Sequence, residues 1–246
     1  GKDSQLATSG QTITVEALGG TGALKVGADY LKRLVPGATV YISDPSWENH
    51  RALFESAGFP VENYPYYDAA SRGVNFAGMK AKLDSLQPGS IIVLHACCHN
   101  PTGADLSDAQ WDEVVAVCRE RGLIPFLDMA YQGFAEGIDA DAVAVRALSA
   151  SGLQFFVSSS FSKSFSLYGE RVGALSIVTA SKEEAGRVLS QVKRVIRTNY
   201  SNPPIHGGAI VAAVLSSPEL RQMWEDELGG MRERIRAMRT GLVEQL

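Results

Sequence analysis

The chain lacks the features that mark secreted, membrane and nucleic-acid-binding proteins. It has three cysteines, two of them adjacent (Cys97 and Cys98), which makes no disulfide framework and favours a reducing cytoplasm. No apolar run approaches the ~18 residues of a membrane span, and we expect no signal peptide at the start. The formal net charge is −4 with no basic patch, so nucleic acid is not an expected partner. Internal repeats and low-complexity tracts are also missing.

Strands and helices alternate along the middle of the chain. A content of 45% hydrophobic and 20% charged residues is that of a globular protein with a sizeable core. The alternation predicts an α/β fold in which helices flank a mainly parallel, doubly wound sheet. Strands are predicted at 39–44, at 61–66, within 90–107, in the run that ends on Asp128, and on both sides of the loop in 155–178; helices are predicted at 76–86, 107–120 and 139–150.

The two ends of the chain follow another pattern. Residues 1–18 contain no start methionine and no recognisable packed element. Beyond the alternating region, 181–197 and 205–246 are predicted as long helices on either side of a proline-broken connection. The last helix has no cap, and we therefore expect the chain to be a fragment or a trimmed form of a longer protein.

A lysine stands in a polar loop between two apolar runs in residues 155–178. Four serines surround Lys163, and Arg171 follows eight residues later. A loop held between two buried strands is a rigid support for an amine, and a guanidinium binds an anion with a fixed fork of N–H groups. The pattern indicates a lysine that forms a Schiff base with an aldehyde carrying a phosphate. The alternative is a solvated surface lysine. The serines are Ser160, Ser162, Ser164 and Ser166.

A glycine turn precedes the first long helix. Gly20 and Thr21 would offer free backbone N–H groups and the positive end of the helix dipole to a phosphate. A plain helix cap is the alternative. A dinucleotide fingerprint would need a glycine at Lys25, so a nicotinamide dehydrogenase is a weaker interpretation.

Several polar or aromatic side chains follow predicted strands, where open α/β sheets bind ligands. Asp128 ends a buried strand and needs a cationic partner, while Tyr131 lies three residues further on. Trp47 and Asn100 follow two other strands. The alternatives are a core tryptophan, a turn asparagine and a turn-capping aspartate. No metal site is expected, because zinc ligands usually form separated pairs, unlike the run His95, Cys97, Cys98 and His99.

Residues 160–173, S-F-S-K-S-F-S-L-Y-G-E-R-V-G, resemble the cofactor-lysine motif of the aspartate and aromatic-amino-acid aminotransferases. These are class I, fold type I enzymes that use pyridoxal 5'-phosphate. The resemblance implies a homodimer of two-domain subunits, with 1–231 as the large cofactor-binding domain. Residues 232–246 would begin the helix that leads to a small domain, which is truncated here. The stretches GGTGALKVGADYLKRL, DPSWENHRALFESAGF and LDMAYQGF look closer to the bacterial aromatic branch.

The resemblance implies a role for each candidate residue. Lys163 would carry the cofactor and move the substrate proton, and Asp128 would pair with the ring nitrogen. Tyr131 and Asn100 would bind the phenolic oxygen, and Trp47 would stack on the ring with His95 behind Asp128. Arg197 would reach the neighbouring subunit's site and pair with the distal carboxylate of a dicarboxylic substrate. The implied substrate-binding residues are therefore Trp47, Asn100 and Arg197. The phosphate would be held by Gly20, Thr21, Ser160 and Arg171.

The implied reaction moves an amino group to 2-oxoglutarate from aromatic or dicarboxylic amino acids such as tyrosine, phenylalanine and aspartate, by a ping-pong mechanism. Two of the family's features are absent from the sequence: a tyrosine of the N-terminal arm, which would precede Gly1, and the arginine for the substrate α-carboxylate, which would follow Leu246. A cofactor-binding or dimerisation module without turnover is therefore the alternative function.

Overall fold

The computed structural model describes residues 4–245, and its sheet confirms the predicted α/β class. Seven strands form one sheet in the order β1-β9-β8-β7-β6-β2-β3, and β4 and β5 form a separate two-stranded sheet. The strands are β1 (Thr12–Leu18), β2 (Val40–Asp44), β3 (Val61–Pro65), β4 (Tyr67–Asp68), β5 (Gly73–Val74), β6 (Ile91–His95), β7 (Ile124–Met129), β8 (Phe155–Ser160) and β9 (Val172–Val178). The helices are α1 (Gln5–Thr8), α2 (Gly19–Leu34), α3 (Glu48–Ser56), α4 (Phe76–Asp84), α5 (Asp108–Arg121), α6 (Val143–Ser151), α7 (Lys182–Asn199), α8 (Ile205–Ser216) and α9 (Pro218–Gln245), with a 3-10 turn at Ala140–Ala142.

The sheet is parallel from β3 through β2, β6 and β7 to β8. Strand β9 runs antiparallel to both of its neighbours, β8 and β1. A loop of eleven residues, 161–171, joins β8 directly to β9 and therefore needs no crossover helix. The carboxyl ends of β6, β7 and β8 lie at one edge of the sheet, and the 161–171 loop begins there.

Helices cover both faces of the sheet, as a doubly wound fold requires. Neighbouring residues on β7 point to opposite faces, so Phe126 packs in one apolar cluster and Leu127 in the other, and both are fully buried. The first cluster takes side chains from α2, α3 and α7, and the second from α4, α5 and α6. The two clusters hold the strand ends in fixed positions.

The structure corrects the prediction for residues 1–18. The stretch Thr12–Leu18 is a strand that pairs antiparallel with β9 along its whole length, from Thr12 opposite Val178 to Leu18 opposite Val172. It was missed because it is an edge strand whose partner lies at the far end of the sheet-forming sequence. Strand β1 delivers the chain into α2, and it therefore sets where that helix begins.

The prediction of one helix over 205–246 was also wrong. Ser217 has extended backbone (φ −101°, ψ 117°), so α8 ends at Ser216 and α9 begins at Pro218. Proline is favoured in a first helical turn, where its missing N–H costs nothing. Every helix within residues 4–245 is too short or too polar to cross a lipid bilayer.

Candidate active site

A cavity of about 310 Å³ opens at the carboxyl edge of the sheet. Nine of the residues predicted as cofactor ligands line it, together with His95 and Tyr168. They come from the start of α2, the ends of β6, β7 and β8, and the loop after β8. The nine are Gly20, Thr21, Trp47, Asn100, Asp128, Tyr131, Ser160, Lys163 and Arg171.

The Lys163 amine lies among aromatic rings. Its Nζ is 4.7 Å from the centroid of the Tyr131 ring and 5.6 Å from that of Tyr168. Ser162 and Ser164, on either side of it, are buried, which anchors the backbone while the lysine side chain faces the cavity. Cation–π contacts hold an amine without giving it a carboxylate partner, so the nitrogen stays accessible to an aldehyde.

The first turn of α2 forms the floor of an anion site. No side chain caps this helix, so its first N–H groups and the positive end of its dipole face the cavity at Gly20 and Thr21. Ser158 Oγ donates a hydrogen bond of 3.0 Å to the Gly20 carbonyl and ties the helix start to β8. A Cβ on Gly20 would lie 3.0 Å from Ser160 Cβ, so this turn passes too close to β8 for a larger residue.

Arg171 closes the anion site from the side. Its Nη1 donates to the Tyr168 carbonyl at 3.0 Å and to Ser162 Oγ at 3.4 Å, while Nη2 donates to the Leu18 carbonyl at 3.4 Å. The guanidinium thus joins the end of β1 to the lysine loop. Arg171 itself has a left-handed backbone (φ 55°), and this turns its side chain back toward α2. A permanent cation beside a helix N-terminus suits a phosphate dianion.

A buried carboxylate forms the opposite wall. Asp128 is 5% exposed, and one of its oxygens accepts a 2.8 Å hydrogen bond from Nε2 of the fully buried His50. His50 Nδ1 in turn lies 2.9 Å from Ser46 Oγ. The chain Ser46–His50–Asp128 holds the carboxylate in place at the cavity wall.

One expectation for this region needs correction. Helix α3 begins at Glu48 with Trp47 in the cap position, and the Ser46 hydroxyl pairs with His50. His95 was expected behind Asp128; it lies opposite Asp128 in the β6–β7 register, but the hydrogen bond to the carboxylate comes from His50. Sequence reasoning missed His50, although its place one helical turn after Trp47 was a usable signal.

Two imidazoles beneath the cavity, those of His95 and His99, have lowered pKa values and are neutral at neutral pH. Burial, with His50 and His99 nearby, lowers the pKa of His95 well below its ordinary value, and burial lowers the pKa of His99 to about 4. Within residues 4–245 neither ring nitrogen of His95 has a hydrogen-bond partner. Ligand atoms of His50, His95 and Asp128 lie within 4.8 Å of one another, as do those of Cys97, Cys98 and Asp141. The carboxylate of each group already accepts hydrogen bonds from protein donors.

Asn100 and Tyr131 complete the cavity rim. Asp105 accepts hydrogen bonds from the backbone N–H of Cys98 (2.7 Å) and of His99 (2.8 Å), and so holds the turn that presents Asn100. Burial, with Tyr168 and Asp128 nearby, raises the pKa of the Tyr131 phenol, which therefore remains a hydrogen-bond donor at neutral pH. An amide and a phenol at one rim can bind a single anionic oxygen.

Arg197 lies outside the cavity that contains Lys163 and Asp128. It is exposed on α7, donates a 2.7 Å hydrogen bond to Ser201 Oγ, and borders a separate cavity of about 520 Å³ beside Glu16. Within this chain it does not meet Lys163 or Asp128.

Known proteins resemble the chain over its whole length. Residues 3–246 match the family described as aminotransferase class I and II. The chain is 68% identical to an aspartate aminotransferase of Pseudomonas aeruginosa and 53% identical to an aromatic-amino-acid aminotransferase of Escherichia coli, each match covering 100% of this chain and 62% of the relative. A solved structure of the aromatic-amino-acid aminotransferase from Burkholderia pseudomallei, covalently bound to pyridoxal phosphate, superimposes with a TM-score of 0.98 at 71% identity, over 99% of this chain and 61% of that one.

The resemblance stated for residues 160–173 is thereby confirmed, and relatives of both the aspartate and the aromatic name are among the matches. The chain spans about three fifths of the length of these relatives. On the family match and the shared fold, the chain belongs to the class I and II aminotransferases.

Proposed function

We propose that the full-length protein is an aminotransferase dependent on pyridoxal phosphate. It would move an amino group from an aromatic or dicarboxylic amino acid, such as tyrosine, phenylalanine or aspartate, to 2-oxoglutarate in a ping-pong reaction. The observation that carries the proposal is the single cavity in which Lys163, Asp128 and an anion site face one another. An amine, an acid and an anion site are what a phosphorylated pyridine aldehyde requires.

The residues present fit that cofactor. The uncapped start of α2 and Arg171 suit the phosphate, Asp128 suits a protonated ring nitrogen, and Trp47 offers a flat apolar surface to the ring. The close approach of Gly20 to Ser160 keeps the floor free of side chains at the anion site. Bound pyridoxal phosphate supplies an aldehyde that bonds the amino group and a protonated ring that withdraws electrons from the bond to be broken.

Different residues of the chain would then carry out different parts of the reaction. Lys163 Nζ would hold the cofactor covalently and, once displaced by the substrate amine, would move the proton from the substrate α-carbon to the C4' carbon of the cofactor. Asp128, oriented by His50, keeps a proton on the ring nitrogen because a buried carboxylate needs a cationic partner. Tyr131 and Asn100 donate hydrogen bonds to the phenolic oxygen. The residue roles remain predictions that the substitutions below test.

Substrate choice depends on Arg197. Because it lies outside the cavity of its own chain, we propose that it serves the site of a second copy in a homodimer, where its guanidinium would pair with the distal carboxylate of aspartate or glutamate. The relatives include both aspartate and aromatic-amino-acid aminotransferases, and this supports a protein that accepts both classes of substrate. The aromatic branch is our preferred assignment.

The division of the chain is also a proposal. The long helix α9 has one buried residue, Leu228, and its Arg232 donates a 2.9 Å hydrogen bond to the Gly133 carbonyl. Beyond that contact most of its side chains are exposed. This supports a large domain over 1–231 and a connecting helix over 232–246, whose outermost positions lie outside the described residues. The cytoplasm is the compartment we propose, because the three cysteines are free thiols.

Two measurements test the function. Full-length protein incubated with 2-oxoglutarate and tyrosine or aspartate should release the matching keto acid, and absence of product with every donor would contradict the proposal. Co-expressed Lys163→Ala and Arg197→Ala subunits test the shared site, since a mixed dimer would regain one intact site. We expect activity with aspartate well above that of either variant alone, and no gain would argue against a donated Arg197.

A further inference from the structure

A residue far from the cavity contacts the backbone next to the lysine. Trp224 lies on α9, and its Nε1 donates a 2.6 Å hydrogen bond to the carbonyl of Ser164, the residue that directly follows Lys163. The ring of Phe165 stacks on the indole with centroids 4.4 Å apart and an interplanar angle of 24°. The same indole thus holds two consecutive residues of the lysine loop. It does not border the 310 Å³ cavity itself.

The loop that carries Lys163 (residues 161–171, the lysine loop) separates two cavities. On one side is the 310 Å³ cavity with Lys163, and on the other is a cavity of about 640 Å³ bordered by Phe161, Ser164, Phe165 and Trp224. Ser160 borders both, so a single thickness of chain separates them. Because this space lies behind the loop, the Trp224 contacts are what oppose a retreat of Ser164 and Phe165 into it.

Two contacts join the loop to other elements. Arg171, the last residue of the loop, donates to the Leu18 carbonyl at the end of β1 (3.4 Å) as well as to Ser162 Oγ (3.4 Å), and Trp224 of α9 donates to the Ser164 carbonyl (2.6 Å). Within the loop, Phe165 N–H donates to the Phe161 carbonyl (3.2 Å) and Ser166 N–H to the Lys163 carbonyl (3.1 Å). These internal bonds keep the turn rigid, while the contacts with Leu18 and Trp224 fix it against β1 and α9.

From this geometry we propose that Trp224 is a positioning residue for Lys163. By holding the Ser164 carbonyl and the Phe165 ring, it fixes how far the Lys163 amine extends toward Tyr131 and the cofactor aldehyde. The inference rests on the proposed function only in taking Lys163 as the reacting amine. It links α9 to the reactive group through one hydrogen bond and one ring stack.

The test uses full-length apoprotein and follows covalent capture of pyridoxal phosphate. Trp224→Phe keeps a ring against Phe165 and removes the indole N–H, while Trp111→Phe removes an indole from a buried core position on α5 and serves as the matched control. The readouts are the rate of borohydride-trappable linkage, the pH profile of that rate, and the affinity for inorganic phosphate.

We expect Trp224→Phe to slow the linkage at least fivefold and to move its pH profile, with phosphate affinity unchanged, while Trp111→Phe alters neither. Linkage by Trp224→Phe at the parent rate, with the parent pH profile, would overturn the inference. Should that variant not fold, Phe165→Leu keeps the N–H donor and loses the stack; it should slow linkage at least twofold, and an unchanged rate and profile would equally overturn the inference. If the parent protein itself formed no linkage, the proposed function would be contradicted. Failure of the proposed function is therefore distinguishable from failure of the inference about Trp224, which requires linkage in the parent.

Discussion

His50 and Asp128 are 78 positions apart in the sequence, and His50 Nε2 lies 2.8 Å from an Asp128 oxygen in a fully buried pair. The helix that carries His50 follows β2, whereas Asp128 lies near the end of β7, so the bond spans two neighbouring parts of the sheet edge. A buried carboxylate with one oxygen held in this way keeps a fixed orientation. Its other oxygen can serve a partner in the cavity.

The substitution His50→Ala tests this orientation. We expect the free energy of unfolding to fall by about 1–3 kcal/mol, because a buried carboxylate oxygen loses its donor. Affinity for pyridoxal phosphate should fall about tenfold for the same reason. Urea unfolding and cofactor titration measure the two effects, and His206→Ala, at an exposed histidine of α8, is the control. If His50→Ala bound the cofactor as tightly as the parent does, the hydrogen bond from His50 would not be required for Asp128 to bind the cofactor.

Arg171 should contribute to binding of the cofactor's phosphate and not to binding of its pyridine ring. In Arg171→Gln the loss of a charge-assisted contact worth about 1.5–3 kcal/mol predicts a loss of roughly 10–100-fold in affinity for pyridoxal phosphate. Pyridoxal, which has no phosphate, should bind the variant and the parent alike. Equilibrium titration with both compounds checks this. An equal loss for both would mean that the residue only shapes the loop.

Gly173 is required by a close backbone contact. A Cβ there would lie 2.2 Å from the carbonyl carbon of Gly19, so Gly173→Ala must push β9 away from the start of α2. We expect a destabilisation of about 1–3 kcal/mol and weaker binding of phosphate. Gly186→Ala, on an exposed position of α7 with open space around it, should be neutral or stabilising by up to about 1 kcal/mol. Chemical unfolding of both variants makes the comparison, and equal stabilities would contradict the steric argument.

Acid should destabilise the chain through the buried imidazoles. Burial lowers the pKa of His99 from 6.5 to about 4, so between these values the unfolded chain binds a proton that the folded chain does not. The free energy of unfolding therefore falls as pH drops from about 6.5 to 4, by on the order of 3 kcal/mol from this residue, and it recovers as pH rises. His99→Asn should flatten that slope in urea unfolding at a series of pH values, whereas His206→Asn should not.

The sequence could predict those parts of the site whose structure depends on residues close together in the chain. The β8–loop–β9 stretch carries Lys163 and Arg171 within one hairpin-like connection, and the strand ending near Asp128 follows from alternation of apolar runs. Phe126 and Leu127 show why: consecutive buried residues on a strand covered on both faces make an unmistakable apolar run.

The missed features all depend on partners distant in sequence. Strand β1 is recognisable only once β9 runs antiparallel beside it, and Trp224 only once α9 returns to the lysine loop. The position of His50 after Trp47 was a usable signal, but its bond to Asp128 depends on how α3 packs against β7. The break at Ser217 was overlooked because Pro218 is also compatible with helix. Local propensity cannot report a contact that tertiary packing creates.

The pairing of β1 with β9 also bears on how the protein is made. The start of α2 is held in place by a strand whose partner, from Val172 to Val178, is translated about 160 residues later. A nascent chain therefore carries the glycine turn through the synthesis of about 150 further residues without the strand that orients it. We expect cofactor capture only after β1 has paired with β9.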